Sequence, residues 1–435
     1  MKRRTGILLH PTSLPEIKDT YRFIDFLADS GISIWQILPL GPPHHDLSPY
    51  NCQSVHAANP ALINLTSKVN KVAFEQFIET QQYWLEDYAL FAALHKKLQT
   101  GWWQWEPALR DRQQQALQNA RQNLAEQIQH HRLEQFLFFS QWQQLKQYAN
   151  QRGILIFGDI PIFVAQDSVD VWANRENFLL DVQGQPTVVA GVPPDYFSAT
   201  GQRWGNPLYD WHYMQSNDFS WWKQRLKTAS ILYDVARIDH FRGFEACWTI
   251  PAASKTAIDG EWIKAPGAAL FKSLEQSNIK LPLVAEDLGI ITDEVKALRD
   301  QFALPGMKIL QFAFDGNPDN PYLPHNHIEK CVVYTGTHDN NTTLGWFQEQ
   351  ANQQYICEYL NTTPDKMPWA LIEAAFKSKA NWAIIPMQDI LSLDANHRMN
   401  TPGIATGNWN WRFNWSQLSP EINNKLRDLS YEHSN

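Results

Sequence analysis

Eight short apolar runs, each ending in polar or Gly/Pro residues, constrain the fold of this chain more than any other feature of its sequence. They occupy residues 6–15, 34–42, 154–164, 234–243, 281–289, 306–314, 331–340 and 382–391. Helix-compatible stretches lie between several of them, as at 292–303, which opens with a Thr N-cap signal. Near-continuous apolar strands alternating with helices indicate parallel strands covered by helices. Eight such units predict an α/β fold, a closed (β/α)8 TIM barrel.

Two intervals between the runs are too long for simple crossovers, and they predict insertions into a single barrel spanning residues 1–435. Residues 65–150 are rich in Gln and Trp at helical spacing, which predicts an inserted helical subdomain. Residues 165–222 are rich in Pro and Gly and lack periodicity. They predict a long ordered loop region, and such loops are commonly functional.

The charge and cysteine patterns narrow the classes of partner. The formal net charge is −8 with no basic run, which disfavours nucleic acid and anionic membranes because both need clustered Lys and Arg. The four scattered cysteines lack CxxC spacing, which argues against a disulfide framework and a Cys-type zinc site. The sequence has no 18-residue apolar stretch, and the apolar run near residue 6 is too short for a signal peptide. These features predict a cytoplasmic protein with a neutral ligand.

Aromatic residues make up 13% of the chain, with 19 Trp among them. Most are expected to pack in the core. Others lie in polar stretches such as "GQRWGNPLYDW" and "GNWNWRFNW", where rings neighbour Asn, Gln and Asp. Rings beside such side chains suit sugars, which have apolar CH faces and many hydroxyls.

The segment "YDVARIDHFRGF" ends an apolar strand in four ionisable groups. Residues two apart on a strand face the same way, so Arg237 and Asp239 share a face opposite Ala236 and Ile238. If the small and aliphatic pair faces the outer helices, the charged pair points into the barrel mouth. The arginine favours the ionised form of Asp239, as a carboxylate nucleophile requires. An ion pair that merely closes the barrel end explains this segment equally well.

Further carboxylates end other runs. "LPLVAEDLG" ends in Glu286 and Asp287, and the like-charged neighbour and apolar surroundings are expected to raise the pKa of Glu286. A charge at a helix N-terminus is the structural alternative for Glu286. Asp159 in "GDIPIF" is either structural or substrate-binding.

In "CVVYTGTHDN", alternation places Val333, Thr335, Thr337 and Asp339 on one face. Asp339 could stabilise an electron-poor sugar ring or bond its hydroxyls. A metal site at His338 and Asp339 is disfavoured because no HxH, HExxH or EF-hand spacing accompanies them. The sequence also has no GxGxxG, GxxxxGK[ST] or GxSxG motif, so neither a nucleotide cofactor nor acyl transfer is supported.

Three carboxylates at the ends of separate strands, in an aromatic-rich chain with a neutral ligand, indicate glycosyl transfer through a covalent intermediate. A retaining mechanism predicts that the Asp239 and Glu286 carboxyls lie roughly 5–5.5 Å apart.

Long motifs of this sequence resemble the 4-α-glucanotransferases, also called amylomaltases or disproportionating enzymes, which are related to the α-amylase superfamily. The matching segments run in family order from Arg4 to Arg412, and they include "RTGILLHPTSLP", "GDIPIFVAQDSVDVWANR", "GVPPDYFSATGQRWGNPLYDW", "RIDHFRGFEACW", "AEDLG" and "YTGTHDNNTTLGWF". The resemblance implies transfer of α-1,4-glucan segments between malto-oligosaccharides, with no cofactor.

The resemblance also implies roles for individual residues. Asp239 would be the nucleophile, Glu286 the general acid/base and Asp339 the transition-state stabiliser. The remaining positions match substrate-binding residues of the family: Tyr50, Asp159, Trp204, Arg237, His240, His338 and Asn408. The loop around Trp204 resembles a mobile segment that arches over the glucan, so residues 165–222 would cover the substrate.

Three positions depart from the family pattern, namely Ala58, Gln166 and Asn341, and none of them removes a catalytic carboxylate. Two other functions remain open at this point: an α-amylase-like retaining hydrolase and a non-catalytic glycan-binding barrel. Rings and amide side chains near 196–211 and 408–415 could form a covered acceptor site, which favours transfer over hydrolysis.

Overall fold

The computed structural model describes residues 2–194 and 198–434. Its strands are β1 (Arg4–Leu8), β2 (Ile34–Gln36), β3 (Leu155–Ile160), β4 (Val188–Val192), β5 (Gln202–Pro207), β6 (Val235–Ile238), β7 (Ala246–Pro251), β8 (Glu261–Lys264), β9 (Leu283–Ala285), β10 (Gly306–Ile309), β11 (Cys331–Tyr334) and β12 (Trp382–Pro386).

Its α-helices are α1 (Thr20–Asp29), α2 (Lys71–Leu98), α3 (Pro107–Arg110), α4 (Gln114–Asn123), α5 (Ala125–Gln151), α6 (Val169–Ala173), α7 (Trp211–Ser216), α8 (Ser220–Leu232), α9 (Gly267–Glu275), α10 (Asp293–Gln301), α11 (Thr343–Glu349), α12 (Gln353–Leu360), α13 (Trp369–Lys377), α14 (Met387–Ile390) and α15 (Pro420–Ser434). No helix within the described part of the chain is both long and apolar enough to cross a membrane.

Eight parallel strands form a barrel in the order β10-β11-β12-β1-β2-β3-β6-β9. Each of them falls within or overlaps one of the eight apolar runs, so the predicted (β/α)8 barrel is confirmed. The join between β9 and β10 has no regular strand pairing among the described residues. Two bonds hold it, from Ala285 N to the Pro305 carbonyl at 2.8 Å and from Met307 N to Asp287 Oδ1 at 2.7 Å. Asp287 thus helps to close the barrel with its side chain.

The interior of the barrel is a separate hydrophobic cluster that includes Phe157, Val235 and Val284. Ala236 and Ile238 belong instead to the large core beneath the helices. Side chains alternate along a strand, so Arg237 points inward with Val235, as the sequence predicts. The catalytic face of β6 therefore follows from the placement of its two small and aliphatic residues.

The predicted alternation along β11 is wrong. Val333 packs in the outer core, whereas Val332 and Tyr334 fill the barrel interior. Thr335 donates to Asp389 Oδ2 at 2.6 Å, so Val333 and Thr335 do not share a face with Asp339. The strand ends at Tyr334, and a turn brings Asp339 back to the barrel mouth.

The predicted helical region at residues 65–150 contains α2 to α5. α2 packs along α5, and α5 also contacts β3 and α8. Trp142 on α5 donates its indole N–H to the Leu232 carbonyl at 2.8 Å. α5 therefore covers the barrel and also forms part of the helical region. That residues 65–150 form a separate inserted subdomain stays a prediction.

A four-stranded antiparallel sheet in the order β5-β4-β7-β8 lies outside the barrel, and the sequence did not predict it. β4 and β5 fall within the predicted loop region 165–222, and β7 and β8 come from the loop after β6. β5 and β8 are largely exposed, so their residues lack the apolar alternation that marks a strand. Residues 195–197 of the predicted covering region lie outside the described residues.

Gly158 on β3 allows a close approach that the barrel wall depends on. A Cβ at this position would lie 2.2 Å from the ring of Tyr233. We expect Gly158→Ala to lower the free energy of unfolding by about 1–3 kcal/mol, because overpacking displaces the buried ring. Urea denaturation measures the loss. In a Tyr233→Ala background the same substitution should cost much less, and an equal cost in both backgrounds would contradict this explanation.

Candidate active site

Arg237 is the polar centre of the barrel mouth. On β6 it lies between β3 and β9, in register with Asp159 on one side. Its Nη1 donates to both carboxylate oxygens of Asp159, at 2.9 and 2.7 Å. Its Nη2 donates to Asp239 Oδ1 at 2.8 Å and lies 3.9 Å from Glu286 Oε2. One buried guanidinium therefore holds three carboxylates from three adjacent strands.

The shared nitrogen limits the distance between Asp239 and Glu286. Because Nη2 contacts both, the Oδ1 and Oε2 atoms are no further apart than the sum of the two distances, 6.7 Å. Carboxyl pairs of retaining glycosidases are roughly 5–5.5 Å apart, and those of inverting enzymes roughly 6.5–9.5 Å. This upper limit on one pair of oxygens allows the predicted retaining spacing.

Glu286 is buried, and backbone donors fix both of its oxygens. Oε2 accepts from His240 N at 2.6 Å and Oε1 from Leu288 N at 2.9 Å. Burial raises the pKa of Glu286 to about 7, Arg237 opposes that rise, and the charge of Asp239 adds to it. Glu286 can therefore carry a proton near neutral pH, as a general acid must.

The structure bears out burial as one expected source of the Glu286 pKa shift and corrects the other, the like-charged neighbour. The sequence pointed to Asp287, the adjacent residue in the chain. The Asp287 carboxylate turns away to pair with Arg299 and to accept from Met307 N. The like charge that faces Glu286 is Asp239, whose side chain is 29% exposed to the cleft.

Asp339 reaches the same mouth from the turn after β11. Its Oδ1 accepts from Asn400 Nδ2 at 2.6 Å, and its Oδ2 lies 3.3 Å from His338 Nε2. Desolvation raises the pKa of Asp339, but His338, Asn400 and Arg237 outweigh it and hold the pKa well below its ordinary value. With 47% of its side chain exposed, Asp339 is a fixed negative charge open to the cleft.

Two groups of rings flank the carboxylates. On one side the Tyr50 ring stacks on His338 with centroids 5.1 Å apart, and Trp409 lies 5.9 Å from His338. On the other side Trp204 meets His240 edge-on at 4.8 Å, with Phe163 6.3 Å from Trp204. We call these the Tyr50 wall and the Trp204 wall. Rings with CH-binding faces thus border the acids on both sides.

His240 combines two functions in this arrangement. Its backbone adopts a left-handed conformation with φ of 50°, and this turn directs its N–H to Glu286. Burial lowers the pKa of His240 to about 4, so the ring is neutral at pH 7. Its Nε2 is buried and has no hydrogen-bond partner among the described residues, which leaves it available to a ligand hydroxyl.

Two of the predicted substrate-binding residues serve the framework of the site. The Asp159 side chain is 0% exposed and accepts from Tyr50 Oη at 2.7 Å as well as from Arg237. It therefore positions both of those groups. Burial raises the pKa of Asp159 to about 6, and Arg237 opposes that rise. Asn408 accepts from Thr401 N and donates to the Ile404 carbonyl, so it braces the loop beside the site.

Sequence reasoning missed Asn400 as a partner of Asp339 and did not single out Trp409 within its ring-rich segment. Arg398 also donates to the Asp339 carbonyl at 2.9 Å. These residues carry no motif of their own. Only their place in the loop after β12 could have suggested them, because loops at that end of a barrel surround its active site.

The three departures from the family pattern lie in ordered surroundings. Ala58 exchanges two backbone hydrogen bonds with the Gln135 amide, each 2.8 Å long. The Gln166 carbonyl accepts from the Trp102 indole at 2.6 Å, and the Asn341 carbonyl accepts from Gln311 at 2.9 Å. The side chains of two of these residues are bonded as well: Gln166 donates to Gln185 Oε1 and Asn341 donates to Glu349 Oε1, each at 3.2 Å.

Comparisons with known proteins show the family of this chain. The glycoside hydrolase family 77 model, described as 4-alpha-glucanotransferase, matches residues 9–72 and 66–418. The 4-alpha-glucanotransferase of Synechocystis is 47% identical over 98% of this chain and 96% of its own length. That of Thermus thermophilus is 45% identical over 99% and 98%.

A solved structure shares both the fold and the sequence. The amylomaltase of Streptococcus agalactiae, determined in complex with acarbose, superposes with a TM-score of 0.94 at 34% identity, covering 99% of each chain. The Corynebacterium glutamicum amylomaltase, at 15% identity and a TM-score of 0.81, has the same fold and covers 98% of this chain and 75% of its own.

The raised pKa of Glu286 predicts a pH-dependent stability. Between its ordinary value of 4.5 and about 7 the folded chain binds a proton that the unfolded chain has released, so this residue destabilises the fold as pH rises. Glu286→Gln mimics the protonated form. We expect its free energy of unfolding to improve relative to the wild type as pH rises from about 5 to about 8.

Urea denaturation at a series of pH values measures that difference. Glu75→Gln, on an exposed turn of α2, controls for the substitution itself. A difference that stays constant with pH for Glu286→Gln would contradict the raised pKa.

Proposed function

This chain belongs to glycoside hydrolase family 77, the 4-alpha-glucanotransferases, and on that premise we propose how its site transfers glucan segments. The protein is a 4-alpha-glucanotransferase. The observation that carries the proposed mechanism is the shared contact of Arg237 with Asp239 and Glu286. That contact holds the two acids together, and burial raises the pKa of Glu286.

In the first step Asp239 attacks the anomeric carbon of the donor glucan while Glu286 gives its proton to the glycosidic oxygen. The C–O bond breaks, the shortened glucan leaves with a free hydroxyl, and the transferred segment remains bound to Asp239 as an ester. Arg237 Nη2 donates to Asp239 Oδ1 and so holds this carboxylate in place for the attack. Asp339 faces the positive charge that develops on the sugar ring.

In the second step the ionised Glu286 removes a proton from the 4-hydroxyl of an acceptor sugar. That oxygen attacks the anomeric carbon, the ester breaks and the Asp239 carboxylate is restored. Two displacements at one carbon retain the anomeric configuration. The burial of Glu286 supports this cycle because its raised pKa suits both giving and taking a proton near neutral pH.

Transfer requires that a sugar hydroxyl intercept the ester before water does. The Tyr50 wall and the Trp204 wall support this outcome because they can hold sugar rings on both sides of the acids and exclude water. Trp204 is 39% exposed on β5, where it can cover a bound glucan. We propose that the walls bind donor and acceptor through their CH faces, with His240 Nε2 bonding a hydroxyl.

We propose malto-oligosaccharides and α-1,4-glucans as both donors and acceptors. The amylomaltase of Streptococcus agalactiae was solved with acarbose, and it shares its fold with 99% of this chain. We also propose a cytoplasmic location. All four cysteines are free thiols, which suits a reducing compartment.

The product profile from maltotriose alone tests the activity. We expect glucose together with maltopentaose and longer oligosaccharides, because each transfer shortens one chain and lengthens another. Chromatography of the reaction at early times resolves these products. Maltose and glucose without longer chains would mean that water takes the glycosyl group, and the proposed shielding by the two walls would be wrong.

Loss of the nucleophile tests the residue roles. We expect Asp239→Asn to reduce maltotriose turnover by at least roughly 10²–10⁴-fold while binding of maltotriose persists, since the amide cannot form the ester. Asp259→Asn, an exposed acid in the loop before β8, is the matched control and should keep full activity. Substantial turnover by Asp239→Asn would remove Asp239 from the mechanism.

A further inference from the structure

Three potential metal ligands meet on the flank of the barrel mouth. His44 lies in the loop after β2, His95 in the last turn of α2 and Asp167 in the loop after β3. The nitrogen and oxygen atoms that they can offer to a metal ion all lie within 4.8 Å of one another. No other group of this kind occurs in the described ranges 2–194 and 198–434. We call these three residues the His-His-Asp cluster.

Hydrogen bonds already hold the cluster together without an ion. His95 Nε2 lies 2.8 Å from Asp167 Oδ2, and His44 Nε2 lies 2.8 Å from the Asp167 backbone carbonyl. The other oxygen of Asp167 accepts from Trp102 N at 3.3 Å, which orients the carboxylate. Outer contacts of this kind fix the direction of ligand side chains in metal sites.

The surroundings of the His-His-Asp cluster suit a bound divalent cation better than two imidazoles with no ion between them. The His95 and Asp167 side chains are only about one fifth exposed. Asp46 on the same loop adds a negative charge facing His44. Two imidazoles and one carboxylate are a common ligand set for zinc.

The spacing of the donors needs little adjustment. In a tetrahedral zinc site with bonds near 2.0–2.1 Å, neighbouring donors are roughly 3.4 Å apart. The donor atoms of the cluster lie up to 4.8 Å apart. Side-chain movements of about 1 Å therefore bring all three within bonding distance of one ion. A water molecule would take the fourth position.

We propose that His44, His95 and Asp167 bind one divalent transition-metal ion, zinc by the chemistry of the donors, as a clip between the loops that flank the active site. The loop of His44 closes on itself through His44 N, which donates to the Asn51 carbonyl at 3.1 Å. It also carries Tyr50, which contacts Asp159. The ion would tie this loop to α2 and to the loop after β3.

The clip is separate from the catalytic acids. Its three residues take no part in the proposed chemistry, so the enzyme should turn over without the ion. Its effect is on order and stability, because an ion that binds only the folded chain raises the melting temperature, and this rise grows with the logarithm of the free ion concentration above Kd.

Zinc titration of the chelator-stripped full-length protein tests this inference. Isothermal titration calorimetry should show one site, and saturating zinc should raise Tm. His95→Ala and His44→Ala should each weaken zinc binding by at least about 10-fold and abolish the Tm rise, while their metal-free maltotriose turnover stays at the wild-type level. Cobalt(II) should give the visible absorption of a four-coordinate ion in the wild type and lose it in both variants.

His130→Ala is the matched control, because His130 pairs with Glu134 on the surface of α5, away from the cluster. It should bind zinc as the wild type does. Binding that persists in both cluster variants, binding that is lost in His130→Ala, or no one-site binding to the wild type would overturn the proposal. The failure of the proposed glucan transfer would appear instead in the maltotriose products, which need no metal.

Discussion

A single guanidinium sets the chemistry of this barrel. Arg237 donates to Asp159 and Asp239 and lies beside Glu286, so its charge is shared among three acids on adjacent strands. Without it, two buried carboxylates and the partly exposed Asp239 would repel one another, which favours proton uptake by the buried acids. Its positive charge offsets theirs, and burial raises the pKa of Glu286 to about 7, so this acid can carry a proton near neutral pH. One guanidinium therefore holds together both carboxyl groups that the reaction needs.

The rest of the site depends on this contact through the strands that deliver it. Asp159 and Arg237 lie in register on β3 and β6, and Glu286 follows β9 at the next edge. Asp287, one residue further, closes the barrel to β10 instead of joining the site. Of these two adjacent acids, Asp287 therefore stabilises the barrel and Glu286 contributes to the active site. The extra sheet and the loop after β12 then bring rings and Asn400 over the acids.

The sequence was informative where burial determines the pattern. All eight barrel strands were found because each is buried on both faces and reads as an apolar run. The inward face of β6 followed from Ala236 and Ile238. Prediction failed where burial is partial or where the chain turns. The exposed strands β5 and β8 carry no apolar alternation, and the turn after Tyr334 broke the alternation that was extended to Asp339. Asn400 and the His-His-Asp cluster join distant segments, which no local pattern records.

The central claim is that Asp239 becomes covalently linked to the sugar while Glu286 handles the proton. Glu286→Gln incubated with α-maltosyl fluoride tests it most directly. Fluoride leaves without receiving a proton, so the first step proceeds in this variant. The amide cannot deprotonate an acceptor sugar, so the second step stalls and the ester accumulates. Peptide mass spectrometry should then find the maltosyl group on Asp239. A maltosyl group on another carboxylate, or consumption of the fluoride with no adduct, would contradict the account.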